Sequence, residues 1–243
     1  LQFVVGDIAK KVFEDGSLDG IFDSSVLHHV TSFNGYDHER AADALEHQVR
    51  ALKPHGVLVV RDFLDPGSEP VLLDLPTTDG DDSDDPRRCS SAALFRRFAR
   101  QFRLLAPKPG FEFVEEKAPG GHLRVRLSHK LAAEFVLRKD YRTDWDSECQ
   151  EEYTFFTQHQ FEALFARLGL RVLASVPIRN PWIVRHRFEG RFRLTRVDGL
   201  PLEFPATNYV IVGERIPARE GVRFREAGQV PPLRFLELTC FRH

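Results

Sequence analysis

Short apolar runs separated by turn residues dominate the N-terminal part of the chain. The run Leu1 to Val5 predicts a buried strand that ends at Gly6-Asp7, and Gly20 to Phe22 predicts a second strand. Val57 to Val60 is a continuous β-branched and apolar run, which is typical of a strand covered on both faces.

One stretch between these strands has helical periodicity. Asp37 can cap a helix, and Pro54 and Gly56 can end it. The apolar positions on its predicted buried face are Ala41, Ala42, Leu45, Val49 and Leu52. Because strand, helix and strand follow one another, we expect a parallel sheet with right-handed crossovers, which is an α/β arrangement.

The middle of the chain is less regular. Ser91 precedes a helix whose apolar face contains Phe95 and Phe98, and Leu131 to Val136 predicts another short helix. An acidic loop comes before them and comprises Asp79, Asp81, Asp82, Asp84 and Asp85. The spacing of these carboxylates fits no calcium-binding loop, so we expect a solvated, mobile loop.

Regular patterning returns in the C-terminal part. Thr157 and Gln160 form a capping box for a helix, and Gly169 supplies its left-handed C-terminal turn. Further strands are expected at Arg171 to Val176, Arg191 to Arg196 and Tyr209 to Val212. The residues from Pro217 onward have the pattern of a tail, in which Phe235 to Leu238 can begin another strand.

Composition is that of an ordinary globular protein. The 243 residues carry 34 basic and 36 acidic side chains, a formal net charge of −2, and 42% of them are hydrophobic. The sequence contains no apolar run of membrane-spanning length, no recognisable signal peptide and no CxxC pair among its three cysteines. We therefore expect a cytoplasmic protein with no membrane or DNA partner, no disulfide framework and no metal site. The chain begins with Leu1 and has no methionine, which is typical of a fragment or of a sequence from which modified methionines have been dropped.

Three segments occur in an order that is specific in combination. They are Val4 to Ile8, Leu18 to Val30 and Leu52 to Asp62. In order and spacing they resemble the second half of class I S-adenosylmethionine-dependent methyltransferases, in which Leu52 to Gly56 matches the Leu-Lys-Pro-x-Gly turn before the fifth strand. The resemblance implies a Rossmann-like methyltransferase sheet, of the α/β class and with the later strands only, into which an α+β substrate region is inserted.

The resemblance also implies an S-adenosylmethionine site at the carboxyl edge of the sheet, where ligands bind in open parallel sheets. The implied cofactor-binding residues are Gly6, Asp7, Ile8, Asp23, Ser24 and Ser25. Asp7 matches the residue that accepts hydrogen bonds from the adenine amino group, although it can also be a simple turn aspartate. His28 and His29 are the catalytic candidates near the methyl acceptor, and the alternative is that they are hydrogen-bonded packing residues.

A second resemblance concerns the region after the fifth strand. Arg61-Asp62-Phe63, Phe135 to Asp140 and Tyr153 to Thr157 are similar in order to segments of eukaryotic tRNA 3-methylcytidine methyltransferases. The similarity implies substrate-binding roles for Arg61, Asp62 and Tyr153. Tyr141 to Glu152 is an insertion relative to that family, so the resemblance indicates shared architecture more than an RNA substrate.

Two polar clusters leave the substrate class open. The first cluster is a run of arginines interleaved with aromatic residues, at positions 185, 187, 191, 193 and 196. Arg187 and Arg191 are therefore candidates for binding RNA phosphates. The alternative is an amphipathic hairpin whose arginines face water. The second cluster comprises Trp145, Glu148, Glu151, Glu152 and Tyr153. It either lines a small-molecule pocket or forms a solvated helix face.

These observations divide the chain into four predicted parts. Residues 1–63 are the C-terminal part of the cofactor-binding core, 64–157 an inserted substrate or lid region, 158–216 the last helix and strands of the core, and 217–243 a tail or the start of a further segment. No Gly-x-Gly sequence occurs, so we expect the glycine-rich cofactor loop in an upstream half of the same polypeptide, without which the chain is inactive. The predicted function is methyl transfer from S-adenosylmethionine to a small molecule or RNA. The alternative is a non-catalytic binding subunit with a degenerate methyltransferase fold.

Overall fold

The computed structural model describes residues 5–81, 83–118 and 120–217, together with the backbone of 235–239. The strands are β1 (Leu18–Ser24), β2 (Leu52–Asp62), β3 (Pro70–Pro76), β4 (Val114–Glu116), β5 (His122–Ser128), β6 (Leu170–Ile178), β7 (Arg193–Arg196), β8 (Asn208–Arg215) and β9 (Phe235–Thr239). The helices are α1 (Leu27–Ser32), α2 (Glu39–Ala51), α3 (Ser91–Gln101), α4 (His129–Arg138), α5 (Trp145–Glu148), α6 (Gln158–Arg167) and α7 (Pro181–Ile183), and a π-helical turn covers Val184–Phe188. No helix within these residues is long and apolar enough to cross a membrane.

The first sheet has the strand order β6-β8-β2-β1-β9. β1 runs parallel to β2, and β8 enters antiparallel to both β2 and β6. The strands predicted at Gly20 to Phe22, Val57 to Val60 and Tyr209 to Val212 therefore form and pair as expected, which confirms the α/β, Rossmann-like sheet.

Of the two predicted terminal strands, the part of the chain that the structure describes shows only the C-terminal one in this sheet. Of the predicted strand Leu1 to Val5, residues 1–4 lie outside the described residues, and Val5 is exposed and belongs to no strand. The Phe235 to Leu238 run forms most of β9, which pairs in parallel with β1 from Gly20 to Ser24. β1 thus has β2 on one edge and β9 on the other.

Local signals explain the helices of the first layer. The backbone N–H of Glu39 donates to Asp37 Oδ1 at 3.1 Å, so Asp37 stabilises the start of α2 as predicted. The reciprocal capping box of Thr157 and Gln160 opens α6, and Gly169 follows it at φ 78°. The core between this layer and the sheet includes Ala41, Leu45, Val49, Leu58, Val60, Phe161 and Phe165.

The inserted region is built around a second, antiparallel sheet with the order β4-β5-β3-β7. Its core contains Phe95 and Phe98 of α3 and Phe135 of α4. β7 was predicted among the last strands of the cofactor-binding core, but it pairs with β3 of this second sheet, Leu72 opposite Thr195. The segment after α6 therefore contributes to both sheets.

The acidic loop before α3 is exposed at Asp79 and Asp84, as expected of a solvated loop, and specific contacts hold part of it. Asp79 accepts hydrogen bonds from Ser91 N at 2.8 Å and from Ser91 Oγ at 2.5 Å, and Asp81 forms an ion pair with Arg88 at 2.7 Å. Asp82 lies outside the described residues. These carboxylates anchor the loop to itself and to the start of α3.

Candidate functional site

The carboxyl ends of β1 and β2 bring several predicted site residues together. Ser24 pairs with Arg61 across the two strands, and Ser25 turns the chain toward α1 at φ 53°. The Arg61 guanidinium donates from Nη1 to Ser25 Oγ at 2.9 Å and to Ser24 Oγ at 3.2 Å, and from Nη2 to Asn208 Oδ1 at 3.0 Å. All three acceptors are neutral, so within the described part of the chain this half-buried cation has no acidic partner.

Asp62, the last residue of β2, binds the start of α1. Its Oδ2 accepts from the backbone N–H groups of Leu27 at 2.9 Å and His28 at 3.3 Å. Its Oδ1 accepts from Phe63 N at 2.9 Å and lies 2.7 Å from His28 Nδ1. A fully buried carboxylate is thus satisfied by four contacts, and it fixes the orientation of the His28 imidazole.

His28 lies between two carboxylates. Its Nε2 is 3.6 Å from Glu151 Oε2, on the side opposite Asp62. Burial by itself lowers the pKa of His28, but the charge and hydrogen bond of Asp62, together with Glu151, outweigh it and raise the pKa to about 9. At neutral pH the ring is therefore a buried imidazolium, which favours a positioning role over that of a general base.

His29 is the more accessible of the two histidines. Its side chain is 17% exposed against 3% for His28, and its Nδ1 lies 3.9 Å from Glu151 Oε1. The two imidazole rings are 4.3 Å apart between centroids. Both histidines consequently contact the same carboxylate, and His29 lies on the solvent side of this group.

Glu151 belongs to a segment, Gln150–Thr154, whose backbone is held at every residue. Tyr36 Oη donates to Gln150 O at 2.9 Å, and Glu152 N donates to Ser32 Oγ at 2.8 Å. Arg138 Nη1 donates to Glu151 O at 2.9 Å. The carboxylate of Glu134 accepts from Tyr153 N at 3.2 Å and from Thr154 N at 2.6 Å. These contacts fix the backbone from which the Glu151 side chain projects.

A buried ion pair supports that segment from α4. The Arg138 guanidinium donates to the Glu134 carboxylate, and both side chains are fully buried. The guanidinium also lies over the Tyr153 ring, 4.3 Å from its centroid. Breaking such a pair by removing one partner leaves an uncompensated buried charge, so these residues are structural in function.

Glu152 is the centre of a second charged group. Its carboxylate lies 2.9 Å from Lys130 Nζ, 2.9 Å from Arg103 Nη2 and 3.1 Å from His38 Nε2. Burial raises the pKa of Glu152, but the hydrogen bond with His38 and the charges of Lys130 and Arg103 outweigh it and lower the pKa to about 2. Glu152 therefore remains ionised and ties the segment to α4, to the start of α2 and to Arg103 after α3.

Asp23 is a buried carboxylate whose oxygens accept no hydrogen bond of good geometry. The residue is 1% exposed and lies on β1 beside Val60. Burial raises the pKa of Asp23 to about 7; the neighbouring Gln48 amide lowers it and the charge of Asp62 raises it. An unsatisfied buried acid next to Ser24 is a feature that a cationic ligand group would stabilise.

The predicted adenine-binding residues lie before β1. Asp7 is half exposed, accepts from Ala9 N at 3.0 Å and pairs with Lys10 at 3.3 Å. Gly6 is exposed, whereas Ile8 is partly buried against the core of the first sheet. Among the described residues, no hydrogen bond or ion pair joins Asp7 to the group around His28.

Two predicted substrate-binding residues are buried. Asp62 is occupied by α1, and Tyr153 stacks on Phe63 with centroids 4.3 Å apart while its hydroxyl donates to Glu148. The whole cluster of Trp145, Glu148, Glu151, Glu152 and Tyr153 is buried. The interpretation of this cluster as a solvated helix face is therefore wrong, because its acidic side chains face buried histidines and arginines.

The arginine-rich segment is amphipathic. Phe192 and Leu194 are buried in the second core, whereas Arg191 and Arg193 are exposed. Arg187 lies over the rings of Tyr141, at 5.4 Å, and Trp182, at 5.8 Å. The alternation agrees with the hairpin interpretation, and it leaves the exposed arginines free of any role in the core.

Sequence reasoning missed the residues that complete this site. Glu151 was assigned only to a cluster that either lines a small-molecule pocket or forms a solvated helix face. Glu134 and Ser32 were not singled out, and Arg138 appeared only within the segment Phe135 to Asp140. The available signal was a row of acidic residues, Glu148, Glu151 and Glu152, close in sequence to Trp145 and Tyr153. Acidic residues in such a context are buried only when paired, which points to basic or histidine partners elsewhere in the chain.

Residues 1–60 match the family model described as a methyltransferase domain. The match covers β1, α1, α2 and most of β2, which carry Asp23, Ser24, Ser25, His28 and His29. A search of curated protein sequences found no match.

The chain also resembles solved structures. A SAM-dependent methyltransferase from Methanosarcina mazei is 12% identical, with 88% of this chain and 67% of the other covered and a TM-score of 0.38. The 1,6-didemethyltoxoflavin-N1-methyltransferase of Burkholderia thailandensis, solved with S-adenosylhomocysteine bound, is 12% identical, with 89% and 51% covered and a TM-score of 0.39. A SAM-dependent methyltransferase from Mesorhizobium loti is 12% identical, with 86% of this chain and 68% of the other covered and a TM-score of 0.41. The chain thus spans about half to two thirds of the length of these proteins.

Proposed function

We propose that this chain takes part in S-adenosylmethionine-dependent methyl transfer at the carboxyl edge of β1 and β2. The observation that carries the proposal is the convergence of the Arg61–Ser24–Ser25 group and the Asp62–His28 group at that edge, next to the segment that matches a methyltransferase domain. S-adenosylmethionine supplies an electrophilic methyl group, which a nitrogen, oxygen or carbon atom of the acceptor displaces from sulfur. The protein's own contribution is to align the acceptor and to exclude water.

The residues at this edge fit a cofactor that carries positive charge. Asp23 is a buried acid whose oxygens accept no hydrogen bond of good geometry, and a cationic group of the cofactor would compensate it. Ser24 and Ser25 follow Asp23 in the chain and offer hydroxyl groups that Arg61 already orients. We assign the adenine end of the cofactor to Gly6, Asp7 and Ile8, and we expect the glycine-rich loop from upstream residues of the same polypeptide.

The acceptor is assigned to the side where His29 is exposed. His28 is held as a cation between Asp62 and Glu151, so it positions His29 and does not accept a proton at neutral pH. Arg61 is available to bind a carboxylate, phosphate or carbonyl oxygen of the substrate. Because Gln150–Thr154 covers the edge with buried side chains, a small molecule is the acceptor that this arrangement favours.

RNA is the second candidate, and one observation supports it. Arg191 and Arg193 project from β7 into solvent, and Arg187 lies beside the exposed Trp182. Exposed arginines next to an accessible aromatic ring can bind a single-stranded nucleic acid. Phe188 and Phe192 are buried, however, so most of the aromatic residues predicted to stack bases are occupied in the core.

The cofactor assignment is tested by calorimetric titration of S-adenosylhomocysteine into the polypeptide that includes its upstream residues. Asp7→Ala removes charge-assisted hydrogen bonds to the adenine amine, which corresponds to about 1.5–3 kcal/mol, or about 10- to 100-fold weaker binding. Asp15→Ala is the matched control, because Asp15 is an exposed acid of the same segment and pairs with Lys11 as Asp7 does with Lys10. Equal affinities of the two variants would remove Asp7 from the site.

The same titration separates the enzyme from a non-catalytic binding subunit. Binding of S-adenosylhomocysteine in this titration, together with transfer of a labelled methyl group from S-adenosylmethionine to a component of a small-molecule extract in a separate assay, is the result expected of the enzyme. A complete polypeptide that binds no cofactor would favour the binding subunit and would contradict the proposal.

A further inference from the structure

Three potential metal ligands meet beneath the Gln150–Thr154 segment. They are His28 Nε2, His29 Nδ1 and the carboxylate of Glu151, and the ligand atoms all lie within 4.8 Å of one another. The nearest oxygens of Glu151 are 3.6 Å from His28 Nε2 and 3.9 Å from His29 Nδ1. Two imidazoles and one carboxylate form a common three-residue set for a divalent metal with an open position.

The imidazole of His28 is oriented as a metal ligand requires. Asp62 Oδ1 lies 2.7 Å from Nδ1, so this nitrogen carries a proton and Nε2 faces Glu151. A carboxylate that binds the second nitrogen of a histidine is the usual support of a metal-bound imidazole, because it fixes the tautomer and raises the basicity of the ligand. The Asp62 carboxylate is itself held by three backbone N–H groups.

The third ligand is equally fixed. Arg138 holds the carbonyl of Glu151, and Ser32 and Glu134 hold the residues that follow it. Two cations that contact this segment are paired with other acids: Arg138 with Glu134, and Lys130 with Glu152. A site whose ligands are set by surrounding contacts loses little entropy when the ion binds.

The separations suit a small ion after a modest contraction. Nitrogen and oxygen ligands about 2.0–2.2 Å from zinc stand about 3.3–3.6 Å from one another in a tetrahedron. His28 Nε2 lies 3.6 Å from Glu151 Oε2, which matches that separation, whereas His29 Nδ1 lies 3.9 Å from the other oxygen, Oε1. All three ligand atoms lie within 4.8 Å of one another, so the ligands need to close by at most about 1 Å around the ion. His29 is the partly exposed member, so the fourth position opens toward solvent on its side.

We propose that His28, His29 and Glu151 bind one divalent transition-metal ion, such as Zn²⁺ or Co²⁺, with the fourth position open to water or to a substrate atom. Mg²⁺ prefers oxygen ligands and is not expected to bind here. This inference does not depend on the methyl-transfer proposal, because the ion binds to the protein alone.

The test is calorimetric titration of Zn²⁺ into chelator-treated protein without cofactor, with Co²⁺ absorption as a second readout of tetrahedral coordination. We expect one ion per chain, and we expect Glu151→Gln and His29→Ala each to weaken binding by about tenfold or more. His159→Ala, which replaces an exposed histidine on α6, is the matched control and should bind as the wild type does.

Two results would overturn the proposal. One is wild-type protein that binds Zn²⁺ no better than the His29→Ala variant, and the other is an unchanged Co²⁺ spectrum in both ligand variants, which would locate the ion elsewhere. If Glu151→Gln fails to fold, as judged by urea unfolding, His29→Ala decides the question because its side chain is partly exposed.

Discussion

Asp23 makes the stability of this fold depend on pH in a way that a single substitution should remove. Its carboxylate is buried on β1 with no hydrogen bond of good geometry, and burial raises its pKa from 3.8 to about 7. The folded state therefore prefers the protonated acid, whereas the unfolded chain ionises it near its ordinary pKa. Asp23→Asn keeps the size and polarity of the side chain and cannot ionise.

The magnitude follows from the size of the shift. A change of about 3 pKa units corresponds to about 4 kcal/mol of lost stability once the pH exceeds both values. Since the folded pKa lies above the unfolded one, stability falls as the pH rises from about 4 to about 7 and is constant on either side. Between pH 5 and pH 8 the wild type should lose about 3 kcal/mol that Asp23→Asn retains.

The assay is urea unfolding of both proteins at pH 5 and pH 8 without ligand. The difference in the free energy of unfolding, variant minus wild type, should increase by about 3 kcal/mol between the two pH values. Asp43→Asn, which replaces an exposed carboxylate on α2, controls for the substitution itself. If the Asp23→Asn difference is the same at both pH values, burial does not control this carboxyl group and the reasoning is refuted.

Three further predictions concern other parts of the structure. Glu134→Gln should lower the free energy of unfolding in a urea titration by about 3–5 kcal/mol, because it leaves the fully buried Arg138 without its ionised partner. The control is Glu46→Gln, at an exposed pair with Arg50, which should change the free energy of unfolding by less than about 1 kcal/mol. Gly80→Ala should destabilise by about 1–3 kcal/mol in thermal unfolding, since its Cβ would lie 2.5 Å from the backbone of Cys89, whereas Gly120→Ala has open space and should be neutral. If RNA is the substrate, replacing Arg187, Arg191 and Arg193 with Ala should flatten the log–log salt dependence of transfer RNA binding by about 2, at about 0.7 per lost phosphate contact, and leave unfolding unchanged. An unchanged slope would exclude these arginines from RNA binding.

The parts of the fold that follow from local chemistry could be predicted from the sequence. The apolar run at Val57 to Val60 predicted a strand that lies within β2, and the helical spacing of apolar residues after Asp37 predicted α2. The side chains of Thr157 and Gln160 form the capping box that their spacing predicts. In each case the signal and its partner lie within a few residues of each other, so no tertiary information is needed.

The remaining features depend on contacts between distant segments. Alternation identified the buried face of β7 correctly, but a period of two does not say which sheet the strand joins, and β7 joins β3. The site itself depends on Glu151 reaching His28, which requires Arg138 and Glu134 to fix the Gln150–Thr154 segment first. The sequence left open whether Glu148, Glu151 and Glu152 line a pocket or form a solvated face, because the histidine partners of Glu151 and the basic partners of Glu152 are far away in sequence.

The anchoring of the Gln150–Thr154 segment limits how this protein can be re-engineered. The segment takes its hydrogen bonds from both layers: Ser32 and Tyr36 belong to α1 and the turn after it, whereas Glu134 and Arg138 belong to α4 of the inserted region. If residues 64–157 were moved alone into another protein, Gln150–Thr154 would keep its contacts to α4 and would lose its contacts to Ser32 and Tyr36. A transplant that preserves the position of Gln150–Thr154 must therefore include Ser32 and Tyr36 together with the inserted region.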